Sequence, residues 1–598
     1  MKKNIAFILK AFFITFSLTR TLPSQIIQGE NIDKIDFITS EIFNVIGVYN
    51  ILHLLLFVFI YIGIKNLSKI IHRNNYILAT AFSTFLIIGE AIRSHGSIDI
   101  LYLTPSNTII SLIKFIGLIY LISPIIYLLY ISLVKLNTGT FYLKNKEIIT
   151  LVTDNIFLKI FGILVSFWGI LLIIGYPGNL CWDVIGQIEQ VILDKGFSSH
   201  HPLFHTLIIG NIINISHLLL GSYEVGLFIY MIFQMVFFAF ALSSTIWFLN
   251  KRKVNPIIIL GISILYIITP VYSNIATTAI KDVPFISSFI LYMIVFLDYL
   301  SSKRLLKNHI IYLSILGVLT SLFRNNGLYM IALTYVIYII ISLFQKNKKL
   351  LIQLSMMLGI LLMVTIGIQA IFVVALQAKK GSSREMLSLP FQQTARYLQL
   401  YQDEVTEEET QIINSVLGDV EKVRLSYDPD IADPVKNLYQ DETVTTSDLF
   451  NYTKVWFGQF FKHPKVYFDA FFAHTYGWFD PGAVNSIRYE VDYDIIYSGG
   501  LISGTQKILL FIYRFLANIT PIALLETPGL YTWLLFILTA YRKNKKQSII
   551  PVIPLWIALL ICVVSPCFYL HPRYAFPIMF TLPLLIGYTC NNELQVEE

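Results

Sequence analysis

Charge is what this chain has least of. Asp, Glu, Lys and Arg make up 14% of its 598 residues, against 56% for hydrophobic side chains. A water-facing domain carries roughly a quarter charged residues, so a soluble enzyme and a disordered chain are both excluded. Cysteine is scarce as well. Four in the whole chain, with no CxxC pair, rule out a disulfide framework and a cysteine metal centre. Cys562 and Cys567 lie five apart and read as two inert buried thiols. Low-complexity tracts and sustained heptads are missing, and so is any internal repeat of the kind on which two-fold transporter folds are built. The net charge of +7 falls in short basic clusters between apolar runs, so it is no sign of nucleic acid as a partner. The run after Met1-Lys2-Lys3 carries Lys10 and no small-residue cleavage site, and reads as a first membrane helix rather than a cleaved leader.

What is present is a series of long apolar runs, with a mean hydropathy of +0.67. A helix needs about 20 apolar residues to cross the hydrocarbon core. Such runs sit near 5–21, 46–64, 76–94, 110–134, 157–176, 223–249, 255–273, 284–300, 309–323, 327–344, 350–375, 526–541, 550–567 and 573–589. Two more, 203–221 and 507–524, are interrupted by His205, Asn211, Asn214 and His217, and by Arg514 and Asn518. Basic clusters at Lys65/Lys69/Arg73, Lys135/Lys144/Lys146, Lys251–Lys253, Lys303-Arg304, Lys346/Lys348/Lys349 and Arg542/Lys543/Lys545/Lys546 belong in the cytoplasm. Holding them there makes 203–221 and 507–524 partial crossings and leaves about 14 spans. The expected fold is therefore an all-α polytopic membrane protein with about 14 transmembrane helices plus juxtamembrane helices. It would lie in the cell membrane with its N-terminus cytoplasmic. The expected organisation is an N-terminal transmembrane extension (1–156), a core (157–375) with an outer loop at 177–202, an external α-rich domain (376–506) and a C-terminal transmembrane region (507–598). The external domain, acidic and aromatic, is expected to be helical through about residue 425.

Polar residues beside a bilayer are costly, so their placement carries information. The non-basic ones gather at the outer ends of the spans. Tyr176-Pro177-Gly178-Asn179-Leu180-Cys181-Trp182-Asp183 runs on to Gln187 and then to His200-His201-Pro202-Leu203-Phe204-His205. Asp183 and Gln187, four apart, share one face of a short helix. Its apolar side (Val184, Ile188, Val191, Ile192) suits a helix lying flat on the membrane. Asp183 reads as a general base, or else as a cap. His201 and His205 stand four apart, which leaves a metal pair, a structural role or a hydrogen bond to substrate phosphate open. Lys281-Asp282 is either a local ion pair or a second acidic site. Arg324, in the turn Arg324-Asn325-Asn326-Gly327, runs against the positive-inside tendency; it either snorkels or meets an anionic lipid phosphate through its guanidinium fork. His474 to Asp480 and His571-Pro572-Arg573-Tyr574 repeat the theme. Two acids, several cations and several histidines suit a reaction on a lipid-linked anionic donor.

An outer Asp after a span, followed about twenty residues later by His-Pro-Leu at the start of the next apolar stretch, resembles the GT-C superfamily. In this sequence the residues are Asp183, His201-Pro202-Leu203 and Asp282. The chain is still more similar to a group of uncharacterised bacterial membrane proteins related to that superfamily. The pattern shared with them is Asp183/Gln187, His200-His201-Pro202, Lys281-Asp282, Arg324-Asn325-Asn326-Gly327 and Arg573-Tyr574. The resemblance covers about residues 157–345 and the last span. It implies a GT-C-like core, Asp183 and Asp282 as catalytic acids, and substrate contacts from Gln187, His200, His201, His205, Lys281, Arg324, Asn325, Arg573 and Tyr574. Four spans precede the 157–176 span that leads into the loop, where the superfamily usually has one span in all, and Lys-Asp stands where others have two acids, so a metal-independent mechanism without a cofactor is expected. The implied activity is transfer of a sugar from a polyprenyl-phosphate donor to a cell-envelope glycan or protein acceptor, with membrane lipids as the other partners. A flippase or transporter of lipid-linked sugars, with Lys114 and Glu90 as its mid-span charges, and a non-catalytic envelope-assembly scaffold are the alternatives.

Overall fold

Proline, glycine and small polar residues punctuate the apolar runs, and the helices begin and end where they stand. Thr104 accepts from the Asn107 N–H ahead of Pro105, Ser222 accepts from Val225 N–H, and Asn347 accepts from Leu350 N–H, each opening a long helix. The computed structural model describes residues 2–22, 51–67, 73–138, 146–302, 306–483, 496, 504–564 and 572–591, which are almost entirely helical. Among these residues eight helices are long and apolar enough to cross a membrane: Asn75–His95, Pro105–Asn137, Ile156–Ile174, Leu203–Leu220, Tyr223–Lys251, Asp282–Ser302, Asn325–Phe344 and Lys348–Ala375. Shorter apolar helices cover Asn4–Thr19, Ile51–Asn66, Lys307–Phe323 and Ile550–Val564. The chain is thus an all-α membrane protein with several spans.

Two of the expected crossings take a different form. The stretch 203–221, expected as a partial crossing, is one unbroken helix, Leu203–Leu220, of span length. Two of its polar residues find contacts that leave the helix unbroken. Asn211 donates to the Leu207 carbonyl at 2.7 Å, and the His217 ring stacks on Tyr223 at 3.8 Å. Conversely, 255–273 bends by 55° between Pro256–Ile268 and Pro270–Ala276. Pro270 has no N–H to continue the ladder and pushes Thr269 out of helical geometry. The segment 507–524 splits into the helices Gly504–Ala517 and Thr520–Leu525.

Lipid tails give apolar helices little reason to associate, so close packing and polar contacts hold the bundle. Asp282–Ser302 is the central helix, with 78% of its span window buried, whereas Lys348–Ala375, at 17%, runs along the periphery. The helical module after Ala375 carries a second core of its own, built from Phe391, Leu398, Ile413, Leu417, Val435 and Tyr452. It stays helical well past residue 425, through Thr446–Lys462 and Pro464–Thr475. Arg396 pairs with Asp469 at 2.9 Å, and Asp469 also accepts from Ile98 N–H, tying the module to the 96–101 turn. Asp480, fully buried, pairs with Arg93 on the Asn75–His95 helix, so the acid of the His474 to Asp480 motif serves this junction. Cys181, Cys562 and Cys590 are buried thiols; Cys567 and His571 lie outside the described residues.

Candidate functional site

Two loops distant in sequence are joined by main-chain bonds. Asn179-Leu180 runs parallel to Thr278-Ala279, with Asn179 N–H donating to the Thr277 carbonyl and Cys181 N–H to the Ala279 carbonyl, at 3.0 and 3.3 Å. Gly178, at φ +117°, makes the approach to this pairing in a conformation that favours glycine. The pairing sets Asp183, in the first turn of Trp182–Ile192, beside Lys281 at the head of Asp282–Ser302. From below, Gln234 clamps the second loop: its amide donates to the carbonyls of Ile275 and Thr278 at 3.2 and 2.7 Å, and its oxygen accepts from Ile280 N–H.

The charged groups then converge. Lys281 Nζ lies 2.7 Å from Asp183 Oδ2 and donates to His201 Nδ1 at 2.9 Å. Arg573 Nη2 reaches the same Asp183 oxygen at 3.0 Å, while its Nη1 donates to Cys181 Sγ at 3.3 Å. Arg324 pairs with Asp282, which is fully buried, and lies over the Tyr574 ring at 4.4 Å. The turn that carries Arg324 needs Gly327, because a Cβ there would stand 2.7 Å from the Thr320 carbonyl oxygen. Three cations thus face two carboxylates, leaving an excess of positive charge.

Electrostatics follows from this packing. Burial by itself would raise the Asp183 carboxyl, but Lys281, Arg573 and His201 together hold it well below the usual carboxylate range. Burial and then the Lys281 ammonium push His201 down to about 2, so its imidazole is neutral. With Nδ1 accepting from Lys281, the His201 proton resides on Nε2. Burial lowers Lys281 too, and Asp183 pulls it back. Asp183 keeps 23% of its side-chain surface exposed, the most open of the five charged groups.

A groove of about 260 Å³ with both apolar and polar walls opens at His201, and Ser199 also lines it. Phe204, Leu322, Leu328, Tyr329 and Phe372 line it, with Asn325 and Gln369 as polar groups at its edge. Gln369 Nε2 donates to Asn325 Oδ1 at 3.4 Å. The helices forming its outer wall expose Ile371 and Val374 at 64% and 78%, the mark of a lipid-facing surface in a membrane protein.

The sequence-derived residues are therefore placed as follows. Asp183, His201, Lys281 and Arg573 touch one another, and Arg324, Asp282 and Tyr574 form an adjoining buried group. Lys281 and Asp282 do not form a local pair; each is bound across the site instead. His200 is exposed, its ring 4.5 Å from that of His201. Gln187 is fully buried and turned away from Asp183, donating to Thr206 Oγ1 at 3.0 Å. His205 is buried between Gln187 Oε1 and the Tyr230 hydroxyl, at 3.1 and 2.6 Å, which occupies both ring nitrogens and dissolves the His201–His205 metal pair. Among the described residues no group of three His, Cys, Asp or Glu stands ready for a metal. The helix Trp182–Ile192 does not lay its apolar side on the membrane: Val184 and Ile188 are fully buried in protein, and only Trp182 is open, at 72%. Tyr230 and Gln234 were missed, although two polar residues four apart inside the apolar run 223–249 are a usable signal.

No curated protein matches the chain, and no solved structure does. Residues 194–597 match a family described as a family of unknown function, DUF6020. The matched stretch takes in His200 through Tyr574 of the site and begins after Asp183 and Gln187. With two thirds of its length matched, the chain belongs to that family.

Proposed function

We propose that this protein is a membrane glycosyltransferase with a GT-C-like core and about 14 spans, whose site opens on the outer face of the cell membrane. It moves a sugar from a polyprenyl-phosphate carrier to a cell-envelope acceptor. The observation that carries this reading is the single Asp183 oxygen shared by Lys281 and Arg573, next to His201 and a groove partly walled by Phe204, Leu322, Leu328 and Phe372. The groove takes the first isoprene units of the carrier, and the cations meet its phosphate.

Asp183 Oδ1 accepts the proton of the acceptor hydroxyl as that oxygen bonds to the anomeric carbon. The bond from that carbon to the phosphate oxygen breaks, its electron pair stays on the phosphate, and polyprenyl phosphate leaves. Lys281, Arg573 and the Nε2–H of His201 stabilise the charge that builds there. In the resting site the same cations make Asp183 a poor base. A donor phosphate competes for them, so Asp183 gains basicity only when donor is bound, which guards against idle chemistry. Arg324, neutralised by Asp282 and seated on Tyr574, packs behind the mouth as a buried ion pair. Asp282 is thus a positioning residue here. Lys114 and Glu90, the charges a transport path would use, pair with each other at 2.6 Å.

The test compares cell-envelope glycans of a deletion strain complemented with wild type or with Asp183→Asn. Wild type restores a glycan that Asp183→Asn does not. Identical glycans in the deletion strain and both complemented strains overturn the reading, and carrier-dependent transport by vesicles holding Asp183→Asn would favour a flippase instead.

A further inference from the structure

A second polar cavity lies at the other end of the bundle. Asp282 begins the central helix and Tyr299 stands in its last turn, so the two levels are about 25 Å apart along the axis. The cavity measures about 660 Å³, within the range of sites for small ligands. Arg542, Lys349, Asn347, Gln353, Tyr338 and Tyr588 supply its polar lining, and among the described residues no carboxylate lines it.

Arg542 is the unusual member. It is 5% exposed, yet among the described residues no acid pairs with it. Its Nε donates to the Ser548 carbonyl at 2.7 Å and its Nη1 to Thr589 Oγ1 at 2.8 Å, with Tyr588 beneath the guanidinium at 5.7 Å. These contacts orient the fork without neutralising it. Asp298, on the central helix, is taken by Arg252 and by His309. A guanidinium cannot shed its proton, and a buried, uncompensated charge is costly. A planar donor fork held rigid in a cavity with a lysine beside it matches a tetrahedral oxyanion.

We infer that this cavity binds a phosphate group, held by Arg542 and Lys349 and supplied either by a lipid headgroup or by free phosphate. The site is separate from the Asp183 cluster and does not depend on the reaction proposed there.

Full-length protein in neutral detergent is titrated with short-chain phosphatidic acid and, separately, with inorganic phosphate at constant ionic strength, and binding is read as a thermal shift. Saturable stabilisation by at least one probe is expected, weakened tenfold or more in Lys349→Gln and in Arg542→Gln. Lys349 is exposed, so that variant reports even if Arg542→Gln does not fold. Stabilisation by the lipid that inorganic phosphate fails to compete away identifies a headgroup; competition identifies free phosphate. No saturable shift with either probe, or full binding in Lys349→Gln, overturns the proposal.

Discussion

Lys281 and Asp282 are consecutive in the chain and turn to different partners, Lys281 to Asp183 at 2.7 Å and Asp282 to Arg324. A single peptide therefore ties together the first turn of Trp182–Ile192 and the turn before Asn325–Phe344. Had the two charges neutralised each other, neither connection would exist.

The Arg324–Asp282 pair is buried on both sides, at 8% and 0% exposure. Removing one partner strands the other, and Arg324→Leu or Asp282→Leu should each cost about 3–5 kcal/mol. Replacing both with leucine should recover most of that loss. Thermal unfolding of the four proteins in detergent checks the cycle, and additive losses would show the pair is not coupled.

Loss of a positioned proton acceptor typically costs about 10²–10⁴-fold in rate. Asp183→Asn should fall by that amount in a transfer assay on membranes, with folding intact because asparagine still accepts from Lys281. Full activity in that variant would remove Asp183 from the chemistry.

Acid should loosen the site, His201 leading. Its folded-state value lies near 2, below the ordinary 6.5, so the stability it contributes is complete above pH 6.5 and shrinks as pH falls from there. Asp183 is also depressed, and its contribution disappears below the ordinary carboxyl value of 3.8. Wild type should therefore lose unfolding temperature relative to His201→Gln between pH 6.5 and about 4.5. A constant gap across that interval would mean His201 is protonated in the folded protein.

Filling the groove should weaken donor binding and leave the chemical step alone. Leu328→Trp adds bulk to a space of about 260 Å³. KM for the lipid-linked donor is expected to rise roughly tenfold with kcat nearly unchanged. An unchanged KM places the isoprene chain elsewhere.

Much of the site is legible in the sequence because polar side chains at span ends have few places to go. Asp183, His201, Lys281, Arg324 and Arg573 could all be picked out that way. Who pairs with whom could not, since the partners of Lys281 and Asp282 depend on how three loops meet in space. Arg324 is a case in point: its exposed-looking turn suggested an outward-facing cation, and the fold buries it on Tyr574. Leu203–Leu220 is an unbroken helix of span length although four polar residues lie along it, and Asn211 closes its bond within the helix. The length of the helical module past residue 425 was hidden by Pro429 and Pro434, which interrupt the pattern without ending the module.

The ribbon joining Asn179-Leu180 to Thr278-Ala279 consists of peptide groups alone. The spacing between the acid and its lysine is consequently indifferent to most side-chain exchanges in either strand, as long as the amide hydrogens survive. Proline at position 179 or 181 deletes one of those hydrogens and should uncouple the two loops, whereas alanine at 179 should leave them in register. Chain chemistry, rather than side-chain identity, thus keeps the reactive pair at working distance while the surrounding loops drift.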